Sequence, residues 1–182
     1  MTNGSIAKRY AKALFDEARE QFVDELIYKH FGTLFATLKA EPDLQMALIN
    51  PRVSQEKKYT LLMLASGLKP EPATLFSRFL RLLLKNRREN QLRLVIYVYR
   101  DLYREFHEID HVVFETAIPV DDGIVDHLTK RIKERRHREV ECERVVNPNI
   151  IGGFRLRIGD HHYDHRYTHQ LEQIRQRLCL TR

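Results

Sequence analysis

Apolar positions in the first 109 residues recur at steps of three and four, the spacing that places them on one face of a helix. The first such series is Ile6, Tyr10, Ala13 and Leu14. Pro42, Pro51 and Gly67 separate later series, because proline starts or stops a helix and glycine commonly ends one. Ser54 is a suitable N-cap for the fourth helix. The pattern predicts six helices with short connections, which form a helical bundle.

The fifth of these helices, predicted to start near Pro72, has only a narrow polar stripe. Its apolar residues are Leu75, Phe76, Phe79, Leu80, Leu82, Leu83 and Leu84. They cover more of the circumference than one packing face requires. One interpretation is a central helix of the bundle, which periodicity favours. The other is that part of this surface, with the first helix, forms a groove for an amphipathic helix of another protein.

The sixth helix is predicted from Leu92 to Ile109, about 28 Å long at the helical rise of 1.5 Å per residue. Basic and aromatic side chains mix in and before it, between Arg87 and Arg104. Such a mixture can stack on RNA bases and neutralise phosphates. Tyr99 and Tyr103 nevertheless fall on the apolar stripe, where packing in the core is the better interpretation.

From Asp110 onward the pattern predicts strands. Residues 111–118 are rich in valine, phenylalanine, threonine and isoleucine, which favour strands. In residues 139–146 and 154–158, apolar and charged side chains alternate. Alternation indicates a strand with one buried and one exposed face. We therefore expect three strands in this part of the chain.

Two further helices are predicted among these strands. Asp121 or Asp122 caps the first, which ends in the basic residues 135–138. The second is outlined by Tyr167, Leu171, Ile174 and Leu178. The chain is therefore predicted to be mainly α, with an N-terminal six-helix bundle at 1–109 followed by a small α+β C-terminal domain at 110–182.

Composition predicts a folded, soluble chain, since 43% of the residues are hydrophobic and 31% are charged. The longest aliphatic or aromatic run, from Leu94 to Val98, is far shorter than the roughly 20 residues of a membrane-spanning helix. The N-terminus lacks the zones of a signal peptide. We therefore expect no membrane crossing and a reducing compartment, in which Cys142 and Cys179 remain thiols.

The net charge of +6 is modest, and most basic stretches have glutamate or aspartate nearby. Nucleic-acid-binding proteins usually concentrate positive charge on one face or tail, whereas interleaved charge is typical of solvated helix faces. No nucleic-acid partner is expected. An RNA-binding regulatory protein built on a helical bundle remains the first alternative.

Catalytic chemistry is not recognisable in the sequence. The chain has neither a phosphate-binding Gly-x-x-x-x-Gly-Lys-Ser/Thr loop nor a dinucleotide fingerprint, so no catalytic residue and no cofactor is predicted. A histidine group comprises His161, His162, His165 and His169. The last two are four residues apart, as metal ligands on a helix can be, but no zinc motif accompanies them. We expect histidines in surface turns and no metal, with a metal-dependent enzyme as the second alternative.

Three segments carry a family resemblance. Residues 6–15 contain an Arg-Tyr-Ala core, residues 79–88 a leucine-rich run ending in Lys-Asn-Arg-Arg, and residues 147–160 a turn followed by a strand led by two glycines. Their order and spacing over nearly the whole chain resemble the delta subunit family of bacterial F-type ATP synthases, whose mitochondrial relative is the oligomycin sensitivity conferring protein. One departure is that the family commonly has Asp-Gly-Ser where this chain has Asp164-His165-Arg166.

The resemblance implies a non-catalytic connecting subunit. A groove between the first and fifth helices would receive the N-terminal helix of an alpha subunit. The C-terminal domain would grip the C-terminal ends of the peripheral-stalk b subunits, so that the stator resists the torque of the rotor while proton flow drives ATP synthesis. The implied location is the cytoplasmic face of the bacterial inner membrane, with membrane contact only through the complex.

Candidate partner-binding residues follow from the resemblance and from the apolar stripes. For the groove or its support they are Tyr10, Leu14, Leu75, Phe79 and Leu82. For the stalk they are Arg155, Arg157 and residues of the last helix.

Overall fold

The computed structural model describes residues 3–69, 74–159 and 161–167. Within them the chain is mainly helical and carries one small four-stranded sheet. It divides into two compact units, one ending at Tyr103 and the other beginning at Arg104.

The first unit is helical. Its elements are α1 (Asn3–Glu20), α2 (Asp24–Ala40), α3 (Pro42–Ile49), α4 (Gln55–Ala65), α5 (Leu75–Lys85), a 3-10 turn (Glu89–Gln91) and most of α6 (Leu92–Phe106). The predicted cap of α4 is confirmed, because the Ser54 hydroxyl accepts a hydrogen bond from the backbone N–H of Lys57 at 3.4 Å. Thr74 caps α5 in the same way through the N–H of Ser77. The start predicted near Pro72 lies outside the described residues.

The prediction that the sixth helix continues to Ile109 is wrong. The helix ends at Phe106, and Ile109 is the first residue of a strand. Glu108, in the turn between the two elements, has a φ of 52°, which lies in the left-handed region that ends helices. An apolar residue after this turn fits a helical stripe and the start of a strand equally well, so periodicity could not place the boundary.

Aromatic rings form the centre of the first unit. Phe31 is fully buried and packs edge-on against Phe76, Phe79 and Tyr99, with ring centroids 5.2, 6.2 and 5.0 Å away. Phe15 of α1 packs edge-on against Tyr99 at 5.6 Å. The cluster therefore joins α1, α2, α5 and α6.

The two tyrosines of α6 belong to this core, as predicted. Tyr99 is fully buried, and its hydroxyl donates a hydrogen bond to the backbone carbonyl of Asp24 at 3.2 Å. Tyr103 stacks on Tyr28 at 4.1 Å. Burial, with nearby carboxylates, raises the pKa of Tyr103 to about 12 and raises that of Tyr99 further. Neither ring is available to stack on a nucleic-acid base.

The second unit contains the sheet, formed by β1 (Ile109–Thr116), β2 (Glu139–Val146), β3 (Phe154–Ile158) and β4 (His161–Asp164), with α7 (Asp122–Arg136) between the first two strands. The strand order is β2-β1-β3-β4. β1 and β2 are parallel, and the other two pairs are antiparallel. The three predicted strands are confirmed, and so is Asp121 as the cap of α7. β4 was not predicted.

One face of the sheet packs on α7. Val112, Phe114, Leu156 and Ile158 of the strands and Val125 and Ile132 of α7 are the buried residues of this core. The helix predicted through Leu178 lies beyond Tyr167, outside the described residues. The unit begins in the last turn of α6, before the predicted boundary at 109/110, and the Arg104 guanidinium there pairs with Glu141 of β2 at 2.9 Å.

A buried ion pair between Lys58 of α4 and Glu89 of the 3-10 turn generates a stability prediction. The ammonium and carboxylate are 3.0 Å apart, and the side chains are only 6% and 13% exposed. Glu89→Ala leaves the lysine charge buried without its partner, so we expect a loss of about 3 kcal/mol in the free energy of unfolding. Urea unfolding of the full chain measures this loss.

The matched control is the exposed pair of Glu25 and Lys29 in α2. Glu25→Ala removes an interaction that water already screens, so the expected loss is below about 1 kcal/mol. Equal losses in the two variants would contradict the importance of the buried pair.

Candidate docking groove and polar sheet face

An open groove, here called the α1–α5 groove, runs between α1 and α5. It consists of two adjoining cavities of about 330 and 420 Å³ that share Tyr10, Ala13 and Leu82. Among the described residues, those that line it are Ile6, Arg9, Tyr10, Ala13, Leu14, Glu17, Leu75, Arg78, Phe79, Leu82 and Arg88. The two helices run antiparallel along it, since the end of α1 near Glu17 lies beside the start of α5.

The structure brings all five predicted groove residues together in this lining, where they have different positions. Leu82 is 49% exposed and presents its side chain to solvent. Leu14 and Phe79 are buried, so they support the floor rather than offer a free surface. Tyr10 packs edge-on against Phe79 at 6.4 Å, and its hydroxyl accepts a hydrogen bond from the Asn86 amide at 3.0 Å. These contacts fix the Tyr10 ring.

α5 serves the core and the groove at once. Its residues Phe76, Leu80 and Leu83 are buried, and Leu82 lies at the groove. The wide apolar surface of this helix therefore includes one face buried in the bundle and one face open to the groove, which is why it exceeds a single packing stripe.

Sequence reasoning did not identify Ala13 or the charged rim as parts of the groove. Ala13 is exposed, and its small side chain leaves space between the helices. Arg9 and Arg88 lie at one end of the groove, and Glu17 and Arg78 lie at the other. Only contacts between distant parts of the chain bring these charges to one groove, so no local pattern marks them.

The two predicted stalk residues lie on the sheet face opposite α7. Arg155 is half-buried, and its guanidinium lies 3.1 Å from Glu115 and 3.9 Å from Asp164. Arg157, across from His162 in the register, is exposed. The Asn147 amide donates a further hydrogen bond to Glu115 at 2.7 Å. Arg155 is thus held inside an ion-pair network, whereas Arg157 projects from the strand surface.

The Gly152-Gly153 pair lets the segment after β4 lie against the start of β3. A Cβ on Gly153, whose φ is 85°, would lie 2.2 Å from the carbonyl oxygen of His165. A Cβ on Gly152 would lie 2.6 Å from the Tyr167 ring. The backbone N–H of Tyr167 donates to Gly152 at 3.1 Å. Both glycines are therefore required by close approach as well as by the turn.

The sequence Asp164-His165-Arg166 forms a locally stabilised turn. The Asp164 carboxylate accepts hydrogen bonds from the backbone N–H of Arg166 at 3.1 Å and from its guanidinium at 2.6 Å. These bonds hold the pKa of Asp164 well below its usual range. The turn is thus built by an ion pair where the family commonly has glycine and serine.

The prediction that the histidines lie in surface turns is wrong for two of them. His161 and His162 belong to β4, because they pair antiparallel with Ile158 and Arg157 of β3. His165 is exposed beside Phe154, and His169 lies outside the described residues. In the described part of the chain, no group of three or more His, Cys, Asp or Glu residues could hold a metal ion. Cys142 is a free thiol, as predicted, and its pKa is raised by burial.

In the described ranges of the chain, no helix combines the length and the apolar character that a bilayer span needs.

Comparisons with known proteins all indicate the same family. The model of the family described as ATP synthase delta (OSCP) subunit matches residues 6–178. A protein named ATP synthase subunit delta from Parabacteroides distasonis is 40% identical over 96% of each chain. One of the same name from Bacteroides thetaiotaomicron is 34% identical over 97% of this chain and 95% of the relative.

A solved structure gives the same fold. A chain in the mitochondrial ATP synthase hexamer of Toxoplasma gondii superposes with a TM-score of 0.73 at 18% identity, over 98% of each chain. The similarity covers both compact units.

The glycine pair generates a prediction for the second unit. We expect Gly153→Ala to lower the free energy of unfolding by more than about 2 kcal/mol, because the methyl group meets backbone atoms and the residue is strained at positive φ. Gly159→Ala is the control, since its φ of 54° carries similar strain but its Cβ would meet nothing within 4 Å. Urea unfolding compares the two variants, and an equal loss would contradict the close-approach argument.

Proposed function

We propose that this chain, because it belongs to the ATP synthase delta (OSCP) subunit family, connects the catalytic head of a rotary F-type ATP synthase to its peripheral stalk. The function is mechanical. The alpha-beta head must be held still while the rotor turns, and the chain supplies one link in the stator that resists this torque. The role requires two docking surfaces and no active site.

The α1–α5 groove carries the proposal for the head. We take α1–α6 as one six-helix bundle whose groove receives the N-terminal helix of an alpha subunit. An amphipathic helix can dock its apolar face in a groove between two neighbouring helices, and α1 and α5 form the two sides of such a groove. Ala13 leaves the space, and Leu75 and Leu82 offer apolar contacts beside the fixed ring of Tyr10.

The charged ends of the groove favour one orientation of the docked helix. Arg9 and Arg88 give one end of the groove two positive charges, which attract acidic side chains, whereas Glu17 and Arg78 give the other end one charge of each sign. An alpha-subunit helix with acidic residues at the Arg9 end is therefore the preferred ligand.

The C-terminal domain, residues 110–182, is the proposed binding site for the C-terminal ends of the b subunits. Arg157 is the better candidate of the two predicted arginines, because Arg155 is already paired with Glu115 and Asp164. The proposed location is the cytoplasmic face of the bacterial inner membrane, where the chain contacts the membrane only through the complex.

Head binding is tested by calorimetric titration of the full chain with a synthetic peptide of the alpha-subunit N-terminus from the same organism. We expect saturable one-to-one binding that Leu82→Asp weakens by about tenfold or more, because a carboxylate then lies in the apolar trough. Leu82 is preferable to Phe79, since Phe79 packs against Phe31 and its replacement would disturb the fold.

The control variant is Leu64→Asp, which places the same charge on an exposed leucine of α4 outside the groove. It should bind the peptide as the unmodified chain does. Absence of peptide binding by the folded chain, or equal weakening by both variants, would argue against the α1–α5 groove as the docking site.

A further inference from the structure

A cavity of about 530 Å³, here called the α4 cavity, lies between the first turn of α4 and the turn that follows α5. Its charged lining residues are Lys58, Arg87 and Glu89. Its apolar lining residues are Ile49, Pro51 and Val53, from the end of α3 and the connection to α4. None of these residues lines the α1–α5 groove, and no function assigned above uses the cavity.

The ammonium group of Lys58 is a buried donor that lines the α4 cavity. Lys58 is only 5% exposed, and its Nζ lies 3.0 Å from Oε1 of Glu89. Within the described part of the chain, this carboxylate is the one acceptor that the ammonium reaches. An ammonium group has three N–H donors, and buried donors normally have acceptors. Two donors of Lys58 are therefore available to an acceptor in the cavity.

Arg87 has a backbone conformation that favours glycine. Its φ is 52°, in the left-handed region, where a side chain costs free energy. Its N–H bonds the carbonyl of Leu84 at 2.9 Å, and the N–H of Arg88 bonds that of Leu83 at 3.0 Å, which forms the Schellman turn at the end of α5. The guanidinium lines the cavity and, among the described residues, pairs with no carboxylate. The turn alone would favour glycine, so the role of Arg87 lies in its side chain.

Glu89 gives the cavity a means of selecting among anions. An ionised carboxylate accepts hydrogen bonds and donates none. One oxygen of Glu89 accepts the bond from Lys58, and the carboxylate repels any anion that carries no hydrogen. Sulfate is such an anion in neutral solution. Hydrogen phosphate has the same tetrahedral shape but carries a P–OH group, which can donate a hydrogen bond to the carboxylate.

We propose that the α4 cavity binds a hydrogen phosphate group, whose oxygens accept hydrogen bonds from Lys58 and Arg87 and whose P–OH donates to Glu89. Lysine and arginine are the usual cationic ligands of phosphate. The N-terminus of α4, where Ser54 and Gln55 line the cavity, adds partial positive charge. The site does not depend on the connecting function.

The phosphate group has two chemical sources. The cavity is larger than a phosphate ion, so inorganic phosphate and a small phosphate monoester both fit. A monoester would also place its carbon atoms against the apolar residues Ile49 and Val53. The shared group is the protonated phosphate.

The experiment is calorimetric titration of the full chain with sodium phosphate and, separately, with sodium sulfate at constant ionic strength. A pH of about 6, near the second pKa of a phosphate monoester, leaves an O–H on every phosphate tested. We expect saturable one-to-one phosphate binding with a dissociation constant of about 1 mM or lower. Sulfate should bind about tenfold or more weakly, because it leaves Glu89 without a donor. Equal affinities would indicate an adventitious ion only, and they would overturn the proposal, as would no saturable binding.

Arg87→Gln tests the guanidinium, and we expect it to weaken phosphate binding by about tenfold. Arg52→Gln is the matched control, because Arg52 is an exposed arginine of the α3–α4 connection that does not line the cavity. It should change the affinity by less than about twofold, since solvent screens a charge outside the site. Equal weakening by both variants would reduce the effect to general surface charge and overturn the proposal. If Arg87→Gln lowers the melting temperature, Arg87→Gly takes its place, because glycine favours the φ of this position.

Glu89→Gln tests the selection between the two anions. Its amide can still accept from Lys58, but its NH₂ group can also donate to sulfate. We expect the preference for phosphate over sulfate to fall by about tenfold, to near equality. The ratio is measured on one sample whose fold circular dichroism verifies, so a loss of stability does not change it. An unchanged preference would contradict the role of Glu89 and overturn the proposal.

Glycerol phosphate, titrated in the same way, distinguishes the two sources of the group. Tighter binding than inorganic phosphate identifies a monoester ligand, and weaker binding identifies inorganic phosphate; both results support the phosphate site. No phosphate binding by a chain that still binds the alpha-subunit peptide would overturn this proposal and leave the connecting function intact.

Discussion

The packing of aromatic rings around Phe31 is the constraint on which the first unit depends. Phe31 contacts Phe79 of α5 and Tyr99 of α6, and Tyr99 in turn contacts Phe15 of α1. Rings that meet edge-on have preferred separations, and each such pair contributes about 0.5–1.5 kcal/mol beyond the area it buries. Phe79 also supports Tyr10, which places the core directly beneath the α1–α5 groove. A change in these core rings would therefore alter the floor of the groove as well as the packing of the helices.

In the second unit, strand β3 is the element on which the packing depends. Because side chains alternate along a strand, Leu156 and Ile158 face α7 while Arg155 and Arg157 face the other way. One five-residue strand thus borders both the apolar core beneath α7 and a network of ion pairs on the other face. The Gly153 backbone, held close to His165, fixes where this strand begins.

Local patterns in the sequence were sufficient for most elements, because periodicity and caps act over a few residues. Ser54 and Asp121 cap the helices that they were expected to cap. β4 was missed because His161 to Asp164 is short and polar and is a strand only through pairing with β3. The five residues predicted for the α1–α5 groove came from the family resemblance and the apolar stripes, whereas the rim charges depend on contacts between distant segments, which no local pattern marks.

The central claim is that one chain joins two partners that do not join without it. Sedimentation of the purified alpha-beta head with the soluble b-subunit fragment, in the presence and absence of this chain, tests that claim most directly. We expect head and fragment to sediment together only when the chain is added, in a complex that contains all three. Equal co-sedimentation without the chain, or no ternary complex with it, would show that the chain is not the connector.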